Sequence, residues 1–346
     1  MNLTQSANPT YQRIVLASRP YGKPTTGNFQ LETLPQPSVD SLGDDEVLVY
    51  NQYLSLDPYM RGRMSSAKSY AQPQALNETM LGATAGVVVA SKYSGLNAGD
   101  YVIGHLGWAE MGVAKGSQLR RIDSDKIPLS AYLGVLGMPG VTAWYGVNVI
   151  LNARPGQTLV VSAAAGAVGS VVGQLAKLKG CRVVGIAGGA EKCAYVCEQL
   201  GFDACIDYKQ AESEKKLAVA LSAFAPQGID LLFENVGSKV FDASLACLNP
   251  YAKIALCGMV AGYSGPAEPL KNVGKLLTMR ASLQGFIITE HMEIWPEAIS
   301  ELTELVMNKK LTYRETISTG LSSAPEAFIG MLNGQNLGKQ LVQLAG

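Results

Sequence analysis

Apolar positions along this chain change their spacing twice. Up to about residue 130 the apolar runs are short. Arg13–Ala17, Glu46–Leu54, Ala85–Ser91 and Tyr101–Gly104 are rich in Val and Ile and bounded by Gly, Pro, Asn and Asp, the pattern of strands separated by turns. The Pro20–Pro24 and Asn97–Asp100 stretches carry turn chemistry. Short strands with frequent turns predict a barrel-like sheet. From about residue 131 the rhythm lengthens. An apolar, helix-like stretch over Ala131–Leu151 leads into strand Leu159–Val161 and a helix with Val171, Val172, Leu175, Ala176 and Leu178 on one side. Strands Arg182–Ala187, Ala204–Ile206, Ile229–Glu234 and Ala252–Cys257 then alternate with helices Ala190–Leu200, Ala211–Phe224 and Lys239–Leu248. Ala281–Ile288 adds a last strand and Trp295–Asn308 a helix. That alternation predicts a parallel sheet with helices on both faces. Beyond it, helix Ala324–Met331, the turn Asn336-Leu337-Gly338-Lys339 and strand Gln340–Leu344 close the chain.

The joint between strand Leu159–Val161 and its helix reads Ala164-x-Gly166-x-x-Gly169. Strand, tight turn and helix in that order give a glycine pattern its meaning. Gly166 lets the backbone lie against a diphosphate and Gly169 lets helix and strand pack closely. The diphosphate sits at the helix N-terminus, where N–H groups and the dipole favour an anion, so Gly166, Ala167, Val168 and Gly169 are cofactor-binding candidates. The first glycine of the usual pattern is Ala164 here.

Bulk properties narrow the function classes. The 346 residues carry 28 basic and 28 acidic side chains, which leaves no basic face for nucleic acid and no polybasic membrane signal. The N-terminal MNLTQSANPT lacks a charged-then-apolar pattern, and a soluble, cytoplasmic protein is expected. The six cysteines, Cys181, Cys193, Cys197, Cys205, Cys247 and Cys257, form no CxxC pair and read as buried, reduced thiols.

The region about 20 residues past the glycine turn distinguishes the two nicotinamide dinucleotides, because NAD sites place an acid there on the ribose hydroxyls. Here it reads Gly185-Ile186-Ala187-Gly188-Gly189-Ala190-Glu191-Lys192. Gly189 stands at the tip, Lys192 is placed to meet a 2′-phosphate, and Tyr208 ends the next strand on the same edge. Taken alone, Lys192 equally fits a solvated helix lysine; with the acid absent, the pair favours NADPH.

Four stretches carry a family resemblance: Tyr53-Leu54-Ser55-Leu56-Asp57-Pro58-Tyr59-Met60-Arg61, Met138-Pro139-Gly140, Glu234-Asn235-Val236-Gly237 and Asn336-Leu337-Gly338-Lys339. With the glycine turn, they make the chain similar to the medium-chain dehydrogenase/reductase superfamily and, within it, the leukotriene B4 12-hydroxydehydrogenase/prostaglandin reductase group. The resemblance implies an α/β fold of two domains. A GroES-like β-rich substrate domain spans 1–130 and 311–346, and a Rossmann NADPH-binding domain spans 131–310. It also implies a homodimer. Zinc enzymes of the superfamily carry a Gly-His-Glu motif and a cysteine ligand in the first domain. Residues 1–130 have no cysteine and only His105, so no catalytic zinc site is expected.

The zinc-free branch reduces carbon–carbon double bonds conjugated to a carbonyl. In such chemistry hydride adds to the β-carbon and charge grows on the carbonyl oxygen, which calls for a hydrogen-bond donor. Tyr263 matches the family tyrosine and follows a strand end, so it is the catalytic candidate. The resemblance further assigns cofactor contacts to Asn235, to Cys257, Gly258 and Met259 in the loop before Tyr263, to Phe286, Ile287 and Ile288, and to Asn336. Tyr53, Tyr59, Arg61, Trp108 and Met138 are candidates for an apolar substrate pocket. Arg61 fits an ion pair with Asp57 equally well, and Trp108 a place in the core. The expected substrate is a small hydrophobic enone or alkenal. A zinc-free NADPH quinone reductase and a non-enzymatic NADPH-binding protein are the competing readings.

Overall fold

The computed structural model describes residues 10–265 and 268–344; the polar N-terminal stretch up to residue 9 lies outside them. The chain divides into two compact units. The first runs up to Leu133 and takes in Glu315–Asn336 and the chain from Gln340 on; the second is Gly134–Arg314 with Leu337–Lys339.

In the first unit, β1 (Thr10–Leu16) and β2 (Phe29–Pro35) form an antiparallel pair. The larger sheet uses β3 (Glu46–Ser55), β4 (Thr84–Ser91), β5 (Tyr101–Gly104), β6 (Met111–Lys115) and β7 (Arg120–Ile122). Helix α1 (Tyr59–Arg63) follows β3. The core beneath these strands holds Ile14, Leu16, Leu54, Leu56, Met60, Met80 and Trp108.

The second unit has a six-stranded sheet in the order β10-β9-β8-β11-β12-β13. Its strands are β8 (Thr158–Ser162), β9 (Arg182–Ala187), β10 (Ala204–Asp207), β11 (Ile229–Glu234), β12 (Leu248–Leu256) and β13 (Ser282–Gly285). Every pairing is parallel. Helices α2 (Met138–Tyr145), α3 (Gly169–Leu178), α4 (Ala190–Glu198), α5 (Glu214–Phe224), α6 (Ser238–Ala246), α7 (Gly274–Thr278) and α8 (Trp295–Met307) connect or flank them. Strands buried on both faces read as nearly continuous apolar runs; the five residues of β8 are all buried, with Leu159–Val161 at its centre. Val160, Val184, Ile186, Leu217, Leu221, Leu232 and Phe241 form one core; fully burying each side chain of this kind contributes about 1.5–3 kcal/mol. The order reverses at β8 and β11, and ligands of such sheets bind beyond the strand ends at that switch.

Two strands complete the first unit's sheet late in the chain. β14 (Glu315–Thr319) and β15 (Lys339–Gln343) flank α9 (Ala324–Leu332), and β15 pairs antiparallel with β3. The turn before β15 belongs to the second unit: Gly338 donates its N–H to the Ala165 carbonyl at 2.8 Å. At Gly338 φ is +74°, and a Cβ there would stand 1.9 Å from the Arg314 carbonyl oxygen, so only glycine fits.

Two expectations need correction in detail. The apolar stretch 131–151 is not one helix: a 3-10 turn over Leu129–Leu133, α2, and a π-type turn over Gly146–Ile150 share it. Gly134 and Gly137 lie between the first two, and α2 opens with Pro139 near its start, a residue that favours the first turn of a helix over its interior. The last strand of the sheet stops at Gly285, short of Ile288.

Candidate cofactor-binding edge and catalytic residues

The carboxyl ends of β8, β9, β10, β11 and β12 gather most of the assigned cofactor residues. β8 ends in Ser162, and Ala163 takes φ of +50°, an uncommon conformation for a residue with a Cβ. Gly169 opens α3 so close to this bend that a Cβ on it would lie 2.4 Å from the Ala163 carbonyl oxygen. The Ser170 N–H bonds the Gly166 carbonyl at 3.1 Å. N–H groups ahead of a helix's first internal bond lack intrahelical acceptors, and here they belong to Ala167, Val168 and Gly169.

At the tip of β9, Gly188 and Gly189 occupy the place of a ribose-binding acid. Gly189 (φ +107°) precedes α4, which carries Lys192. Burial and the neighbouring charge of Lys209 push the Lys192 ammonium below its ordinary pKa, with Glu191 opposing. The Asp207 carboxylate accepts from the Gly189 N–H at 2.8 Å and the Lys209 N–H at 3.0 Å. Tyr208 packs against the core of the sheet with the Lys239 ammonium 5.7 Å from its ring centre.

The Glu234-Asn235-Val236-Gly237 segment ties three strand ends together. The fully buried Glu234 accepts from the Val236 and Gly237 N–H groups on one oxygen, both at 2.6 Å. Its main-chain carbonyl takes the Cys257 N–H at 2.9 Å and the Gly258 N–H at 3.2 Å. Asn235 donates its side-chain amide to the Ser162 carbonyl at 2.8 Å, and its N–H to Ser162 Oγ at 2.8 Å. Desolvation raises the Glu234 carboxyl from an ordinary 4.5 to about 7, against the pull of those N–H groups.

The turn that follows folds back onto this segment. Val260 N–H bonds the Asn235 carbonyl at 3.2 Å and Ala261 N–H the Val236 carbonyl at 2.9 Å. Tyr263, at the end of the turn, returns its hydroxyl to the strand tips: a Cβ built on Gly258 would lie 3.4 Å from that oxygen and 3.3 Å from the Asn235 carbonyl oxygen. Tyr263, Gly258 and Asn235 therefore meet at the ends of β11 and β12, and Met259 begins the turn that carries Tyr263.

Phe286, Ile287 and Ile288 follow β13. Phe286 stacks edge-on to Phe233 (6.3 Å between ring centres) and tilts against Tyr145 (5.6 Å). The Trp295 indole N–H reaches the Ile288 carbonyl at 3.3 Å. Tyr145 in turn stacks on His291 at 4.5 Å, with its hydroxyl 3.2 Å from the imidazole Nε2. Sequence reasoning passed over Ser162, Asp207, Lys209, Glu234 and the Tyr145–His291 pair. For Glu234 a signal existed in its motif; a tyrosine and a histidine 146 positions apart leave none. Asn336 immediately precedes the Leu337–Lys339 turn.

The substrate-pocket candidates fall in both units. Tyr53, near the end of β3, and Tyr59, at the start of α1, are half-buried in the first unit. Burial, then Asp57, pushes the Tyr59 phenol upward. Met138 begins α2 in the second unit, half-buried. Trp108 is corrected: it is fully buried, stacked on Phe29 at 5.2 Å and edge-on to Phe328 at 5.6 Å, and fills the core of the first unit. Arg61 is corrected as well: it is buried, and its guanidinium donates to the Gly22 carbonyl at 2.6 Å, holding the Pro20–Pro24 turn. His105, close enough to Asp57 to feel its charge, is pushed below its ordinary value by burial.

All six cysteines are free thiols, buried or half-buried. Burial is the largest influence on each and raises its pKa, Cys257 to about 12. Among the described residues no group of three or more His, Cys, Asp or Glu side chains is arranged to hold a metal ion, and no helix is long and apolar enough to cross a membrane.

Comparison with known proteins places these features in context. A family model described as the N-terminal domain of oxidoreductases matches residues 12–122, and one described as zinc-binding dehydrogenase matches residues 167–304. The chain is 45% identical over 342 residues to an NADPH-dependent curcumin reductase of Escherichia coli, covering 97% of each. It is 40% identical over 328 residues to prostaglandin reductase 1 of Rattus norvegicus, covering 93% of this chain and 95% of that one. The crystal structure of CurA from Vibrio vulnificus in complex with NADPH superposes with a TM-score of 0.91 at 44% identity, covering 97% and 99% of the two chains.

Proposed function

The chain belongs to the medium-chain dehydrogenase/reductase family, in the group that holds the curcumin and prostaglandin reductases, and on that premise we propose that it uses NADPH to reduce carbon–carbon double bonds conjugated to a carbonyl. The observation that carries the reading is the return of the Tyr263 hydroxyl to Gly258 and Asn235, on the strand-end edge that also bears the glycine turn and Lys192.

The residues fit a phosphorylated dinucleotide. Gly188 and Gly189 offer no carboxylate where one would repel a 2′-phosphate, and the ionised Asp207 carboxylate is partly offset by the Gly189 and Lys209 N–H groups on one oxygen and the Gln210 amide on the other. Gly166–Gly169 would hold the diphosphate, Lys192 and Tyr208 the 2′-phosphate, and Asn235, the Cys257–Tyr263 loop, Phe286–Ile288 and Asn336 the nicotinamide half. Bound NADPH supplies the hydride. Tyr263 donates a hydrogen bond to the substrate's carbonyl oxygen as negative charge collects there; a donor already in place stabilises that charge without reorganising. Glu234 holds the two segments that flank this hydroxyl. Tyr53, Tyr59 and Met138 are proposed contacts for an apolar enone or alkenal.

The protein is proposed to work in the cytoplasm, where six free thiols stay reduced, and as a homodimer. Supporting the dimer, β13 is an edge strand whose four residues are all exposed, and Leu277 just before it is 82% exposed; bare edges of this kind invite pairing with another strand. Light scattering at micromolar concentration gives twice the chain mass if this holds.

The deciding experiment follows NADPH oxidation across enones, alkenals and quinones, with product analysis. The proposal expects saturated carbonyl products with the C=O intact. Turnover confined to quinones would transfer the assignment to a quinone reductase, and no oxidation with any of them would leave a nucleotide-binding protein.

A further inference from the structure

The nucleotide edge carries a second lysine that the motif reading leaves out. Lys209 sits in the 3-10 turn Tyr208–Gln210 that follows β10. The Asp207 carboxylate bonds the N–H of Lys209 and the N–H of Gly189 together. One side chain thus fastens the turn bearing Tyr208 and Lys209 to the residue that leads into α4 and Lys192.

The side chains converge as well as the backbones. A Cβ built on Gly188 would lie 2.9 Å from Tyr208 Cε1 and 3.0 Å from Lys209 Cε. Both side chains therefore fold over the bare tip of β9, on the spot a ribose-binding acid would occupy. Lys192, in the first turn of α4, feels the charge of Lys209 more strongly than that of the adjacent Glu191. Two ammonium groups that feel each other's charge repel, and an anion set between them reverses the sign of that interaction.

We propose that Lys209 is a specificity-determining residue that takes the 2′-phosphate of NADPH together with Lys192, with Asp207 positioning the turn that presents it. The inference rests on the assignment of this edge to NADPH. A dianion bracketed by two cations gains a charge-assisted contact from each. Gly188 belongs to the same device, since any side chain there would displace Lys209 and Tyr208.

Lys209 is exposed, so Lys209→Met keeps the aliphatic stem, removes the charge and leaves folding intact. The test measures KM for NADPH and NADH, and inhibition by adenosine 2′,5′-bisphosphate and by AMP, for wild type, Lys209→Met and Lys192→Met. The expectation for Lys209→Met is a KM for NADPH and a Ki for the bisphosphate raised about fivefold to tenfold, with NADH and AMP unchanged. The increase should shrink as salt is raised. If Lys192→Met loses the preference for NADPH while Lys209→Met keeps it, Lys209 is a solvated surface lysine and the inference fails with the NADPH reading intact. If neither variant changes the preference, the 2′-phosphate lies elsewhere and both fail.

Discussion

Replacing Glu234 by Gln should change how the protein's stability depends on pH. Glu234 is fully buried; one carboxyl oxygen accepts two N–H groups at 2.6 Å, and the Ser162 hydroxyl lies beside the carboxyl as a further donor. Its pKa rises from 4.5 in the open chain to about 7 in the folded one. The folded state therefore holds the proton more tightly. The contribution is fully favourable below pH 4.5 and is lost as pH climbs through about 7. A difference of about 2.5 between the two values, at about 1.4 kcal/mol each, amounts to about 3.5 kcal/mol at alkaline pH. Gln keeps an acceptor for Val236 and Gly237 and cannot ionise. Its amide N–H groups take the place of an oxygen on the buried second side of the carboxyl, a cost of about 1–3 kcal/mol that does not vary with pH. Urea unfolding of both proteins from pH 5 to pH 9 separates the two effects. The variant should be the less stable at pH 5 and gain about 2.5 kcal/mol on wild type by pH 9, the part of the change that falls inside this range. A difference between the two proteins that stays flat to within about 1 kcal/mol over that range would refute the buried, proton-holding role of Glu234.

Two further outcomes follow from the nucleotide edge. Lys192→Ala should raise the KM for NADPH about tenfold or more, the loss of one charge-assisted contact, and leave NADH use nearly unchanged; equal effects on both would refute the 2′-phosphate assignment. Tyr263→Phe should lower kcat without abolishing turnover, as expected for a contact made mainly in the transition state; if steady-state kinetics show kcat and kcat/KM unaltered, Tyr263 has no part in the reaction.

The second unit was the more legible in the sequence because both its periods are long and apolar. Arg182–Ala187 and Ile229–Glu234 are strands with the expected bounds, since strands buried on both faces announce themselves as unbroken apolar runs. The first unit was less so. β2 is largely exposed and β7 has only three residues, with Glu32, Thr33, Arg120 and Arg121 among them, and such strands gain their identity from the partner across the sheet. Trp108 and Arg61 expose a different limit. Near a presumed pocket, an aromatic and a cation both read as ligands; that Phe29 and Phe328 enclose the first, and that the Gly22 carbonyl occupies the second, depends on chain segments far away in sequence. Lys209 was overlooked for a related reason. A lysine in a polar turn looks solvated until the fold bends its stem across Gly188.

The sheltered sulfur atoms bear on how long such a catalyst can last. Alkenals and enones are soft electrophiles that alkylate thiolates, so a reductase of these compounds meets them continually as poisons. Nucleophilic attack needs the ionised sulfur, and here every cysteine is at least partly enclosed and held toward the protonated form. Incubation with a simple alkenal, without cofactor, should leave all six sulfurs unmodified by mass spectrometry while surface lysines acquire adducts. Early adducts on Cys193 or Cys205 would show that the enclosure offers no such resistance to self-inactivation.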